Sequence, residues 1–153
     1  MTTPSQAATP APSATAAPLA ERKLPAPFIN PENQPFFDAT AKGTLLIGKC
    51  TACGELHYYP RVICPHCGAD GAVWVAAKGG GAIYSYSTMH RGVPLPYTIA
   101  YVTLDEGVSM MTNLTGFAPG SLKIGQRVRV LFQEADGGTA DQRGVMMPMF
   151  TPV

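Results

Sequence analysis

The feature that most constrains this chain is the spacing of its cysteines. Four are present and no others, arranged as two matched pairs, Cys50-Thr51-Ala52-Cys53-Gly54 and Cys64-Pro65-His66-Cys67-Gly68, with ten residues between the pairs. Tetrahedral zinc takes four thiolates at about 2.3 Å. Two Cys-x-x-Cys turns facing each other supply them, and the glycine after each pair accepts the positive φ that closes such a turn. A short hairpin between the turns completes a zinc ribbon. The site is closed, so the metal is expected to be structural and its removal to unfold the ribbon. Iron suits the same four thiolates and stands as the alternative metal. Disulfides need an oxidising compartment, which nothing in the sequence suggests. A thioredoxin-like redox centre needs one pair opening a helix, not two pairs on turns. With four thiolates completing the shell, His57 and His66 read as neighbours of the metal site rather than ligands.

The chain has 153 residues, enough for one core. Its first twenty carry no charged side chain and little apolar bulk. Such a stretch cannot offset its ordering entropy, so residues 1–27 are expected to form a disordered Pro/Ala-rich tail. The tail has neither a basic start nor a continuous apolar run, which argues against a signal peptide and a membrane span. Thiolate ligands without an export signal point to the cytoplasm. A net charge of +1 with no block of Lys or Arg argues against a broad phosphate-tracking surface.

Residues 28–43 are expected to hold a short helix. Asn30-Pro31-Glu32-Asn33-Gln34-Pro35 reads as its start, where Asn can cap and Pro is tolerated in the first turn, and Lys42-Gly43 ends it. Phe36, Phe37, Thr40 and Ala41 share one face, and the paired phenylalanines read either as core or as cover for a partner. Residues 44–78 form the ribbon, with strands over 44–49, 56–61 and 72–78. Gly79-Gly80-Gly81 reads as the joint to a second module over 79–153. There the pattern is β throughout, with strands over 82–90, 97–104, 108–114, 126–134 and 144–152. Asp105-Glu106-Gly107 makes a tight hairpin turn, and 117–125 is a long connection between the third and fourth strands. Five strands with that connection suit an OB-fold barrel. Another small barrel or sandwich has the same strand count. The fold class is therefore mainly β: a short N-terminal helix, a rubredoxin-like zinc ribbon and a C-terminal five-stranded OB-fold barrel.

From about residue 28 onward this order of features resembles the acyl-CoA-associated family catalogued as domain of unknown function thirty-five. The resemblance is carried by Phe36-Phe37, by Gly48-Lys49 before the first cysteine pair, and by Tyr59-Pro60-Arg61 before the second. In the barrel it is carried by 81–87, His90-Arg91, Pro96-Tyr97 and 122–130. It implies a non-catalytic subunit that binds a thiolase-like enzyme. Such a subunit helps hold a coenzyme A thioester for thiolytic, acyl-transfer or retro-aldol chemistry, with no activity expected alone.

The chemistry of the residues is compatible with that reading. A thiolase needs an activated nucleophilic cysteine with histidine partners, and here all four cysteines are assigned to metal. No phosphate loop or dinucleotide fingerprint is present. Arg127 and Arg129 lie two apart on one strand and so share a face. They read as a site for coenzyme A phosphates or acidic partner groups, or as a solvated face. Tyr84, Tyr86 and His90 share another face that reads as an acyl or pantetheine channel or as barrel filling. Phe36, Phe37, Arg61 and Arg91 complete the candidate contacts with coenzyme A or a partner. A single-stranded nucleic-acid module is the alternative function, since aromatics are present, although the basic charge it needs is thin. Electron transfer through an iron tetrathiolate is a third reading.

Overall fold

A computed structural model describes residues 24–59, 61–118, 120–136 and 144–153. Among the described residues one helix precedes eight strands: α1 (Gln34–Thr40), β1 (Leu46–Cys50), β2 (Leu56–His57), β3 (Ala72–Ala76), β4 (Gly80–Met89), β5 (Tyr97–Leu104), β6 (Ser109–Leu114), β7 (Arg127–Glu134) and β8 (Met146–Pro152). The first three strands form an antiparallel sheet in the order β2-β1-β3. The other five close into a barrel in the order β4-β5-β6-β8-β7. The parallel pair β6–β8, registered at Leu114 and Phe150, shuts it. This is the OB-fold architecture expected from the strand count and the long connection, which runs over 115–126 where 117–125 was expected.

The helix is shorter than the expected 28–43. Of the two asparagines it is Asn33 that precedes its first turn, and the two lock into a turn of their own. Asn30 N–H donates to Asn33 Oδ1 (2.8 Å), and Asn33 N–H donates to Asn30 Oδ1 (2.9 Å). At seven residues α1 is too short to stand alone and is held by packing. Phe36 and Phe37 are buried in one cluster with Leu45 and Ile47 of the ribbon side and with Ile83, Val102, Met110, Val128 and Phe150 of the barrel. A continuous apolar core thus joins helix, ribbon and barrel.

Other boundaries differ as well: β2 ends at His57 and β3 at Ala76, short of the expected 61 and 78. Leu24, placed in the tail, is buried, and its carbonyl accepts the Asp136 N–H at 2.7 Å. Pro25 bridges Asp136 alongside it. An apolar leucine followed by a proline that needs no ladder donor can end the chain's approach in this way. The remainder of the expected tail, 1–23, lies outside the described residues. The triple glycine does lie where the ribbon sheet gives way to the barrel, but only Gly79 stands outside a strand. β4 begins at Gly80, and Gly80 and Gly81 pair with Arg129 and Val128. Their missing side chains serve close approach: a Cβ at Gly81 would meet the Thr103 carbonyl and the Val102 side chain at 2.7 Å.

Candidate metal centre and surrounding surfaces

The two cysteine turns are built alike. Cys50 N–H donates to the Glu55 carbonyl and Gly54 N–H to the Cys50 carbonyl, at 2.9 and 3.0 Å. Cys64 N–H donates to Ala69 and Gly68 N–H to Cys64 at the same two distances. Gly54 and Gly68 take φ of 78° and 73°, the left-handed conformation that only glycine adopts at no steric cost. Each turn also aims backbone N–H groups at sulfur, Cys53 toward Cys50 Sγ (3.5 Å) and His66 toward Cys64 Sγ (3.4 Å). Each pair holds one buried and one exposed cysteine.

All four Sγ atoms lie within 4.8 Å of one another. Cys50 and Cys67 are 3.6 Å apart, Cys53 and Cys64 3.7 Å. Tetrahedral geometry with metal–sulfur bonds of about 2.3 Å requires sulfurs about 3.8 Å apart, so the donor set fits such an ion. Its electrostatics also call for a cation. The Cys53 backbone N–H is the main cause holding the Cys50 thiol down at about 6. At Cys53 the Glu55 backbone lowers the value. Burial and the thiols of Cys50, Cys67 and Cys64 outweigh it and push Cys53 up to about 12. Four thiols this close do not all ionise without a positive charge among them.

His66 Nε2 lies 3.2 Å from the Leu56 carbonyl, outside the sulfur cluster. His57 is 3 % exposed, and neither ring nitrogen reaches a hydrogen-bond partner among the described residues. Its ring packs on Gly48, the residue facing it across β1 and β2.

The other candidates are not gathered into one site. Phe36 and Phe37 are 1 % and 5 % exposed and belong to the core. With Tyr58, Met111 and Met147 they line a slot of about 110 Å³ at the seam between ribbon and barrel. Burial is the first cause that holds the Tyr58 phenol there above its ordinary range. Arg61 lines a separate open groove of about 440 Å³ between the N-terminal segment and the second cysteine turn, with Asn30, Glu32, Tyr59 and Ile63. Glu32 ties that groove together by accepting the Val62 N–H at 2.7 Å. Arg127 and Arg129 are both exposed on β7 beside the start of β4. Arg127 is already engaged by Asp105. Tyr84 stands at a bulge in β4, and the Tyr86 hydroxyl donates to the Leu122 carbonyl at 3.1 Å. His90 and Arg91 are exposed beyond the far end of β4. Eight residues of extended chain put His90 up to roughly 26 Å from Ala82, where Arg127 pairs. One ligand head group cannot touch both ends.

Sequence reasoning passed over the groove residues Asn30, Glu32 and Tyr59, which only the folded chain brings together. It also passed over Ile99 and Tyr101, which are 40 % and 48 % exposed on the barrel's outside. The alternation along 97–104 carries that signal, since period two sends every second side chain outward.

Residues 37–72 match the family model described as the ChsH2 rubredoxin-like zinc ribbon domain, and residues 74–133 match the ChsH2 C-terminal OB-fold domain. A probable enoyl-CoA hydratase alpha subunit of Thermomonospora curvata is 37 % identical over 132 residues. That match takes in 84 % of this chain but only 40 % of the relative's length. A DUF35 domain-containing scaffold protein of Methanothermobacter thermautotrophicus is 32 % identical over 92 residues, covering 56 % of this chain and 69 % of that one. Among solved structures, an Ltp2-ChsH2(DUF35) aldolase chain superimposes with a TM-score of 0.69 at 37 % identity. It is covered to 98 % of its length by 82 % of this chain.

Proposed function

The chain belongs to the DUF35 family of ChsH2-type zinc-ribbon and OB-fold proteins, and on that premise we propose that it is a non-catalytic subunit of a thiolase-like enzyme, helping to hold a coenzyme A thioester for the partner's chemistry. The observation that carries this reading is the convergence of all four sulfurs on one point. A chain whose every cysteine is committed in this way keeps no thiol for attack on a thioester, so reactivity must come from elsewhere. The relatives' names are in keeping with the reading: one is a scaffold protein, one a hydratase subunit, and one part of a two-component aldolase.

Cys50, Cys53, Cys64 and Cys67 would hold the metal, which we take to be zinc. Bound there, it would crosslink the two turns. No coordination position is left for substrate, so the barrel and groove surfaces would meet the ligand. Arg61, Arg129, Tyr84, Tyr86, His90 and Arg91 remain exposed for contacts with coenzyme A or the partner. Phe36 and Phe37 would support them from the core, and Arg127 would do so only by leaving Asp105. Because these residues are spread over the surface, the ligand would be completed by the partner rather than enclosed by this chain. The nucleic-acid alternative needs a continuous basic track beside its aromatics, and the pairing of Arg127 with Asp105 works against one.

Co-expression with a candidate thiolase-like partner, sought among the products of neighbouring genes, followed by thioester cleavage assays on a panel of acyl-CoAs, tests the reading. Turnover is expected only from the pair. Turnover of an acyl-CoA by the isolated chain would overturn it. Colourless protein with one zinc supports the metal assignment; red protein with iron overturns it.

A further inference from the structure

The three strands β4, β5 and β6 contain no Asp, Glu, Lys, Arg or His, although the chain carries 21 acidic and basic residues elsewhere (11 Lys and Arg plus 10 Asp and Glu). Their register fixes one outward face. Ser85 pairs with Tyr101, Ser87 with Ile99, and Tyr101 with Met111. The inward alternates Ala100, Val102, Met110 and Thr112 are buried, so these outward residues lie on a surface and not in a second core. Ile99, Tyr101 and Met111 form an exposed apolar centre with Met89 at its edge, and serines and threonines surround it. The barrel's other flank differs: β7 presents Arg127, Arg129 and Glu134.

We infer that this uncharged outer face of β4–β5–β6, centred on Tyr101, is where the thiolase-like subunit docks. The inference rests on the reading that such a subunit is the partner. Three features select that occupant. First, a nucleic acid, an anionic membrane or an acidic peptide would find no cation to pair with anywhere on the three strands. Second, aromatic, Met and Ile side chains with charge excluded are the composition of an interface centre. Third, the size of the face argues against a second copy as sole occupant. Eight residues by three strands span on the order of 400 Å². Two copies face to face would then bury about 800 Å² in total, short of the roughly 1,200–2,000 Å² of a stable interface.

A larger partner can continue past the edges, and the surface continues with it. Tyr84 at the bulge is 68 % exposed, and Ile124, next to the Gly125 that donates to the Ile83 carbonyl, is 72 % exposed. On the opposite edge Met111 also borders the seam slot with Phe36 and Phe37. A partner seated on Tyr101 therefore reaches both the barrel and the ribbon seam.

The test is co-expression of the full chain with the thiolase-like subunit that the proposed function calls for, with complex formation measured by sedimentation. Tyr101→Arg and Ile99→Asp place a charge at the centre of the face, and Lys42→Glu, exposed at the end of α1, is the control. Wild type and Lys42→Glu are expected to form the complex. Tyr101→Arg and Ile99→Asp should weaken it at least tenfold, with melting temperature and zinc content unchanged. If Tyr101→Arg fails to fold, Tyr101→Ser keeps the test, with a smaller loss expected. Unchanged binding by the folded variants overturns the docking face while leaving the proposed function standing. No complex from wild type overturns both. A self-association that Tyr101→Arg disperses while partner binding persists assigns the face to a second copy and overturns the inference.

Discussion

The imidazole of His57 occupies the space that a side chain at Gly48 would need, directly across the β1–β2 pair. Gly48 does not have a positive φ, so its role here is room rather than backbone freedom. Gly48→Ala therefore overpacks the ribbon and should destabilise it by about 1–3 kcal/mol. His57→Ala in the same chain should recover part of that loss. Urea denaturation of the two single variants and the double variant checks this, and additive effects would refute direct contact.

The same histidine gives the ribbon a pH dependence. Burial is the main cause lowering its pKa from 6.5, reinforced by the charges of Arg61 and His66. The unfolded chain then binds the proton more readily than the folded one, so stability falls as pH drops below about 6.5. His57→Phe should flatten the decline between about pH 7.5 and 5.5 relative to wild type. Thermal melts at saturating zinc measure it.

Much of this architecture was legible in local spacing. The cysteine turns, the Asp105-Glu106-Gly107 hairpin and the alternation of Tyr97–Leu104 each depend on residues close in sequence. What was not legible depends on meetings across the fold. Gly79-Gly80-Gly81 has the composition of a joint, yet Gly80 and Gly81 are ladder residues kept small by Asp105, Thr103 and Val102. Arg127 and Arg129 look equivalent on their strand, and only the return of the β5–β6 turn sets them apart. Leu24 looked like tail because its partner, Asp136, stands more than a hundred residues away.

Metal removal should loosen more than the ribbon. Leu45 and Ile47 share a cluster with Phe36 and the barrel residues, so losing the sulfur crosslink also removes support from the seam. Structural zinc in small domains contributes roughly 10–16 kcal/mol of apparent binding free energy. Chelation is expected to lower the melting temperature and expose apolar surface to dye, and added zinc to reverse both. Cys64→Ser should reproduce the chelated state. A variant that keeps one zinc and full stability would count against a tetrathiolate crosslink.

Arg127 and Arg129 should separate in ligand assays. Arg127 donates from Nη1 and Nη2 to the two carboxylate oxygens of Asp105 at 2.7 and 2.9 Å, holding the Asp105 carboxyl below its ordinary range. Among the described residues Arg129 makes no such ion pair. Arg129→Gln should weaken coenzyme A binding by the complex severalfold, while Arg127→Gln should chiefly loosen the Asp105 turn. Isothermal titration on both variants decides, and a larger loss for Arg127→Gln would reverse the assignment.

Phe36 is the sharpest test of core against contact surface. At 1 % exposure, with Phe37 edge-on at 5.2 Å and Tyr58 tilted at 5.9 Å, it has no face left for a partner. Phe36→Ala deletes a buried ring at the seam, and such truncations cost about 3–5 kcal/mol. The isolated chain should show that loss in full by chemical denaturation, before any partner is added. Phe36→Leu, which keeps most of the volume, should cost far less. A Phe36→Ala chain as stable as wild type alone but defective in complex formation would instead return this residue to the interface.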